Sequence, residues 1–194
     1  MDSVSDARMV VHGVPRQYTK YTLDSFPGDP AALKVALDYL ESFGDDSEAL
    51  GKGHGLLFFG INGTGKTSLA VGILRCLLER NYLADFYRWP ALIEARARSW
   101  RSEEAALDFR RHVRQTDLLV IDDLGKEFSG GRELSVSVLD DVVRGRTAAG
   151  KPTLITMNAD PATIRTTYGD SIASLFNEFF EPVEVHGRDM RVES

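Results

Sequence analysis

Short apolar runs alternate with amphipathic stretches along this chain. Leu56-Leu57-Phe58-Phe59 and Leu118-Leu119-Val120-Ile121 have no polar interruption, as strands buried on both faces do. Residues 84–89 and 153–157 read as further strands, and Val183-Glu184-Val185 as a short last one. Helical periods lie between them. Residues 31–43 place Leu33, Ala36, Leu37 and Leu40 on one face, and Gly44 supplies the stop. A second helix runs from Ser68 to about Arg80, where Asn81 breaks it. Residues 91–115, 133–146, 161–168 and 171–180 also read as helices. Strands alternating with helices predict an α/β domain whose parallel sheet is covered by helices on both faces. Residues 1–20 are largely polar and without period, so a flexible amino-terminal arm is expected ahead of a core spanning 21–194. Tyr18, Tyr21 and Phe26 add aromatic anchors at the junction, Pro27-Gly28-Asp29-Pro30 a turn, and residues 45–55 a polar loop.

The loop between the first strand and the second helix carries the strongest chemical signal. Gly60-Ile61-Asn62-Gly63-Thr64-Gly65-Lys66-Thr67 fits the phosphate-binding pattern G-x-x-x-x-G-K-[ST] at every fixed position, and Ser68 continues it into the helix. Glycines let the backbone turn tightly and aim several N–H groups at one anion. The helix N-terminus adds the positive end of its dipole. Lys66 is placed to reach the β- and γ-phosphates of ATP, and the Thr67 hydroxyl to ligate Mg2+. Farther along, Leu118 to Asp123 forms a buried strand ending in two acids. In such sheets ligands bind where strands end, so Asp122 is expected to hold Mg2+ and Asp123 to activate the attacking water as general base. Asn158, just past the run 153–157, suits either an amide that orients that water or a turn former ahead of Pro161.

Bulk properties narrow the picture by exclusion. A chain of 194 residues, 43% apolar and 27% charged, has the makings of one globular domain. Its net charge of −6 excludes a polycation built to coat nucleic acid, so any such binding needs a local patch. Such a patch is offered by Arg88, Arg96, Arg98, Arg101, Arg110, Arg111 and Arg114, with Trp89 and Trp100 among them. Arginines beside aromatic platforms suit single-stranded DNA, and an amphipathic helix with a solvated charged face reads the same way. Cys76 cannot form an internal disulfide and is expected as a buried thiol. No stretch approaches a membrane span and the first residues lack the features of a signal peptide, so no membrane partner and a cytoplasmic location are expected.

Taken together, these motifs resemble the AAA+ ATPases of the DnaC/DnaI helicase-loader and IstB transposition-helper family. The resemblance runs over about residues 15–191 and rests on Tyr21-Thr22-Leu23-Asp24-Ser25-Phe26, Gly55 to Gly60, Leu118 to Gly125, Gly150-Lys151-Pro152-Thr153 ahead of Asn158, and the closing Gly187-Arg188-Asp189-Met190-Arg191. It implies an AAA+ P-loop core with little or no separate lid domain. It also implies Arg191 as the arginine that senses the γ-phosphate, and Asn158 as the water-orienting amide. The family's arginine finger falls at Leu175 here, which cannot stabilise phosphoryl charge. Arg146, with Arg144 in reserve and Arg165 behind it, is then the expected cation for a neighbouring subunit. Only about 20 residues precede the core motifs, fewer than the helicase-binding domain that loaders of this family carry.

The resemblance therefore implies an ATP- and Mg2+-dependent accessory protein of DNA replication that loads or remodels a replicative helicase and assembles with itself when ATP is bound. A transposition helper acting on a transposase, and a nucleotide-gated module with weak hydrolysis, are the alternatives.

Overall fold

The computed structural model describes residues 4–44, 50–126 and 131–190. Residues 45–49 of the expected polar loop, and Arg191, lie outside the described residues. The apolar runs become β1 (Gly55–Phe59), β2 (Ala84–Arg88), β3 (Leu118–Leu124), β4 (Thr153–Met157) and β5 (Phe180–Glu184). They pair in parallel in the order β2-β3-β4-β1-β5. The intervening helices are α1 (Asp6–Val11), α2 (Pro30–Glu41), α3 (Lys66–Glu79), α4 (Trp89–Ser99), α5 (Glu103–Gln115), α6 (Arg132–Ala148), α7 (Thr163–Tyr168) and α8 (Asp170–Phe179).

Period-two alternation of the strands builds two cores, one on each face of the sheet. Leu56 and Phe58 of β1, Leu118 and Val120 of β3 and Leu154 of β4 pack with α1, α2 and α3. Leu57, Leu119, Ile121 and Ile155 point the other way and pack with α4 through α8. Each fully buried Leu, Ile or Phe contributes roughly 1.5–3 kcal/mol, so the runs that marked the strands also supply much of the driving force. β1 ends at the phosphate loop and β3 at the acidic pair, with β4 between them, so all three deliver their ends to one rim. β5 is an outer strand, and Pro182 within it is tolerated there because an edge strand needs only alternate N–H groups for pairing.

Several expectations are corrected. Residues 4–20 are not a loose arm. Val4, Met9 and Val14 are buried in the α1–α3 core, and the Phe86 N–H on β2 donates to the His12 carbonyl at 2.8 Å. The apolar spacing of 4, 9 and 14 matches neither a helix nor a strand, which hid the segment among its polar neighbours. The helix expected over 91–115 is two helices. Trp100 and Arg101 leave α4 through tight closing turns, and the Ser102 hydroxyl caps α5 by accepting from Ala105 N at 3.1 Å. Pro90 opens α4 in its first turn, where a missing N–H costs nothing. Leu37 is exposed, because the buried stripe of α2 runs through Ala32, Ala36, Tyr39 and Leu40. Cys76 is half-buried, and burial pushes its thiol pKa up.

Candidate nucleotide site

The phosphate loop closes from β1 onto α3 through glycines in left-handed conformation. Gly65, at φ +96°, is the residue that caps α3. A Cβ on it would come within 2.6 Å of both the Phe26 ring and Met190 Cε, so the position needs glycine for its backbone and for its neighbours. The first intrahelical bond runs from Leu69 N to Gly65 O, so the N–H groups of the first helical turn point toward the loop, where an anion would sit. Lys66 is buried, with Nζ donating to the carbonyls of Gly60 at 2.9 Å and Ile61 at 2.6 Å. The segment after β5 folds over the loop, with Met190 N donating to Gly63 O at 3.0 Å. Asp29 fastens that segment, since one oxygen accepts from Ala31 N and the other from His186 N, each at 2.9 Å. These N–H donors, the His186 one foremost, hold its carboxyl below the usual range.

The acidic pair meets this loop at its helical end. Asp122 Oδ1 accepts from the Thr67 hydroxyl and from the Thr156 hydroxyl, each at 2.7 Å. It is only 2% exposed, and desolvation pushes its pKa up against the pull of those two hydrogen bonds. Asp123 takes the left-handed conformation, at φ +62°, where the β3–β4 register shifts between Ile121 and Leu124. That irregularity breaks the strand's alternation, so consecutive acids serve one site. Asp123 Oδ1 accepts from Asn158 Nδ2 at 3.3 Å and lies 3.0 Å from Lys126 Nζ, while Oδ2 lies 3.7 Å from Arg88 Nη2. A cleft gathers Gly63, Gly65, Lys66 and Thr67 with Asp123 and Asn158, and Tyr18, Tyr21 and Met190 complete its walls.

The donor set fits a hydrated, phosphate-bound magnesium ion. Among the described residues no group of three or more His, Cys, Asp or Glu side chains is placed to cage a metal. Thr67 and Asp122 offer adjacent hard oxygens, and Mg2+ bound by one or two protein ligands takes the rest from water and phosphate.

Of the residues read from sequence, Gly60 through Ser68, Asp122, Asp123 and Asn158 come together at this rim. Arg191 lies outside the described residues, although Met190 beside it touches the loop. Arg146 is corrected. It is fully buried and donates to the carbonyls of Val113, Thr116, Asp117 and Pro152 and to the Thr153 hydroxyl. Burial pulls its pKa down to about 9, and it cannot reach a neighbouring subunit. Leu175 is buried in the second core. Arg144, paired with Asp140, and Arg165, paired with Asp170, stay at the surface. The arginine patch is thinner than its sequence suggests. Arg96 is drawn inward to Asp141 and Ser99, and Arg98 and Arg111 pair with Glu94 and Asp108. Trp89 is fully buried, whereas Trp100 is 55% exposed with Arg96 stacked against it.

Sequence reasoning missed Thr156, Arg88 and Lys126. Thr156 had one available signal, a hydroxyl residue inside an otherwise apolar buried run two positions before Asn158. The two cations had none, because a surface arginine and lysine look alike wherever they fall.

The parallel order β2-β3-β4-β1-β5, with the phosphate loop after β1 and the acids after β3, decides the architecture. The chain has an AAA+ fold. In structure it is similar to the DnaC helicase loader, with a TM-score of 0.75 and 22% identity over 89% of this chain and 100% of that one. DnaI gives 0.70 and 22% over 89% and 95%. The replication initiator DnaA bound to AMPPCP and single-stranded DNA gives 0.72 and 22% over 87% and 50%. In sequence it is 27% identical over 143 residues to the replicative helicase loader DnaI of Bacillus subtilis (strain 168). That match covers 73% of this chain and 43% of DnaI, so the chain spans less than half the length of that relative. No family model matches the chain. The sequence match thus supports the resemblance to the DnaC/DnaI helicase loaders, and the solved structures show the shared AAA+ fold. Among the described residues no helix is long and apolar enough to cross a membrane.

Proposed function

We propose that this AAA+ domain binds ATP with Mg2+ and hydrolyses it while loading or remodelling a replicative helicase in the cytoplasm. The observation that carries the reading is the convergence of Lys66 and Thr67 with Asp122, Asp123 and Asn158 on one rim. The helix N-terminus and Lys66 hold the phosphates. A bound Mg2+ would neutralise developing charge on the β- and γ-oxygens. Thr67 and Asp122 orient that end of the site, Asp123 takes the proton of the attacking water, and Asn158 and Thr156 fix the carboxylates. The likeness to DnaI supports the helicase as partner. Trp100, with Arg101 beside it, is the surface best suited to stack and neutralise a single DNA strand. An ATP-bound assembly would need a surface cation from a neighbour, for which Arg144 and Arg165 remain.

A second reading, a nucleotide-gated module with slow turnover, is favoured by the surroundings of Asp123. Lys126 and Arg88 both face its carboxylate, and Lys126 and Asn158 occupy the oxygen an attacking water would approach. Steady-state turnover separates the two. The loader reading expects ATP hydrolysis that rises with single-stranded DNA or the helicase. Tight ATP binding with no turnover under any of these conditions supports the gated module, and failure to bind ATP removes both.

A further inference from the structure

One wall of the cleft is held by a guanidinium on the phosphate-loop helix. Arg75 of α3 is buried, and it donates through Nη1 to the Val4 carbonyl at 2.8 Å and through Nη2 to the Thr19 carbonyl. Those carbonyls stand at the two ends of the segment that carries α1, so one side chain closes it into a strap. The nearest acid, Asp6, is 3.5 Å away and largely exposed, and Arg75 Nε has no hydrogen-bond partner among the described residues. A buried guanidinium so weakly paired depends on the strap carbonyls for its stability. α3 also makes room for the chain beyond the strap. A Cβ on Gly72 would come within 2.6 Å of Leu23 Cδ2 and 3.3 Å of its amide nitrogen. On either side of Thr19, Tyr18 and Tyr21 face the cleft beside Gly65, Lys66 and Thr67, their rings 6.1 Å apart.

We infer that Arg75 is a positioning residue that sets the Tyr18–Tyr21 wall and thereby couples strap docking to recognition of the nucleoside part of the nucleotide. The inference rests on the ATP reading above. The phosphates are held by α3 itself, whereas the aromatic wall is held at one remove, through the Thr19 carbonyl. Loss of Arg75 should therefore separate the two ends of the ligand. By linkage, a bound nucleoside should also hold the strap down.

Calorimetry on the full chain with Mg-ATP and with Mg-tripolyphosphate, which has three phosphates and no nucleoside, tests this. Arg75→Met is expected to weaken ATP about tenfold and tripolyphosphate less than about twofold, with Arg75→Lys between wild type and Arg75→Met. Tyr18→Ala with Tyr21→Ala should weaken ATP to a similar degree, and adding Arg75→Met should then cost little more. Equal losses for the two ligands, or additive losses, overturn the inference and leave the nucleotide reading standing. A wild-type chain that binds neither ligand overturns both. A measurement without variants guards against misfolding. Saturating ATP should slow amide hydrogen exchange over residues 4–20 about fivefold or more, and tripolyphosphate should not. Unchanged exchange with ATP bound overturns the coupling.

Discussion

The two halves of the site are made in different ways. The phosphate half is backbone, contiguous in sequence and fixed by local conformation from Gly60 to Ser68. The acidic half is side chain, pooled from β2, β3, β4 and the segments after them, and fixed by hydrogen bonds between residues more than 30 positions apart. A contiguous backbone device survives most changes around it. A pooled one fails wherever any contributor is lost. The same division should govern how the site responds to mutation, with the phosphate half failing in binding and the acidic half in turnover or stability.

The sharpest break is Lys66→Ala. It is expected to lower ATP affinity about 100-fold or more while the chain stays folded, because a charge-assisted contact to phosphate is lost, while the carbonyl hydrogen bonds to Gly60 and Ile61 that go with it lie within the loop. Calorimetry and a melting curve check both halves of the statement. Unchanged affinity would remove the phosphate-loop assignment altogether.

On the other side of the comparison, Asp123→Asn should leave ATP affinity within a few-fold and reduce turnover about 10²–10⁴-fold. The amide keeps the size, tolerates the left-handed backbone at φ +62° and lacks the basicity. Wild-type turnover in this variant would show that water is activated elsewhere.

Thr156→Val tests whether the pooled half also carries stability. Its buried hydroxyl donates to Asp122 Oδ1 and accepts from Asp123 N, so the loss should be about 1–3 kcal/mol in denaturant unfolding. A neutral result would mean that another group takes over both bonds.

The smallest effect has the opposite sign. Desolvation raises the Asp122 pKa in the folded chain above 3.8, so the charged carboxylate burdens the metal-free fold at neutral pH. That burden is relieved by protonation as pH falls through the raised value. Asp122→Asn should therefore stabilise the metal-free protein by about 1 kcal/mol at pH 7, with the advantage fading as pH falls toward 3.8. An advantage that grows on acidification would reverse the assignment.

Legibility in the sequence follows the same division. The phosphate loop could be read because its constraint is local, and glycine, lysine and threonine at fixed spacing say what the backbone must do. The strands were legible because Leu118 to Ile121 and their counterparts face a core on both sides. Asp122 and Asp123 were legible as a strand end, but the left-handed twist that turns both acids to one site was not. Arg146 was misread because a helix-terminal arginine looks like a surface charge, and only the packing of β3, β4 and α5 around it shows five acceptors instead. Val4, Met9 and Val14 escaped notice because their burial follows a path across α3 and β2 that has no period.

Pro182 has a consequence for how copies of this chain can meet. Val185 N–H donates inward to Phe59 O, so by alternation Glu181 and Val183 also face β1, and Pro182 falls among the outward positions. The free margin of β5 therefore lacks a donor at its midpoint, and Glu181 and Glu184 flank the gap with charge. An incoming strand would find neither a continuous ladder nor a neutral surface, which guards the sheet against amyloid-like stacking. Any assembly this domain enters across that margin must be made by side chains fitting side chains rather than by a continued backbone ladder.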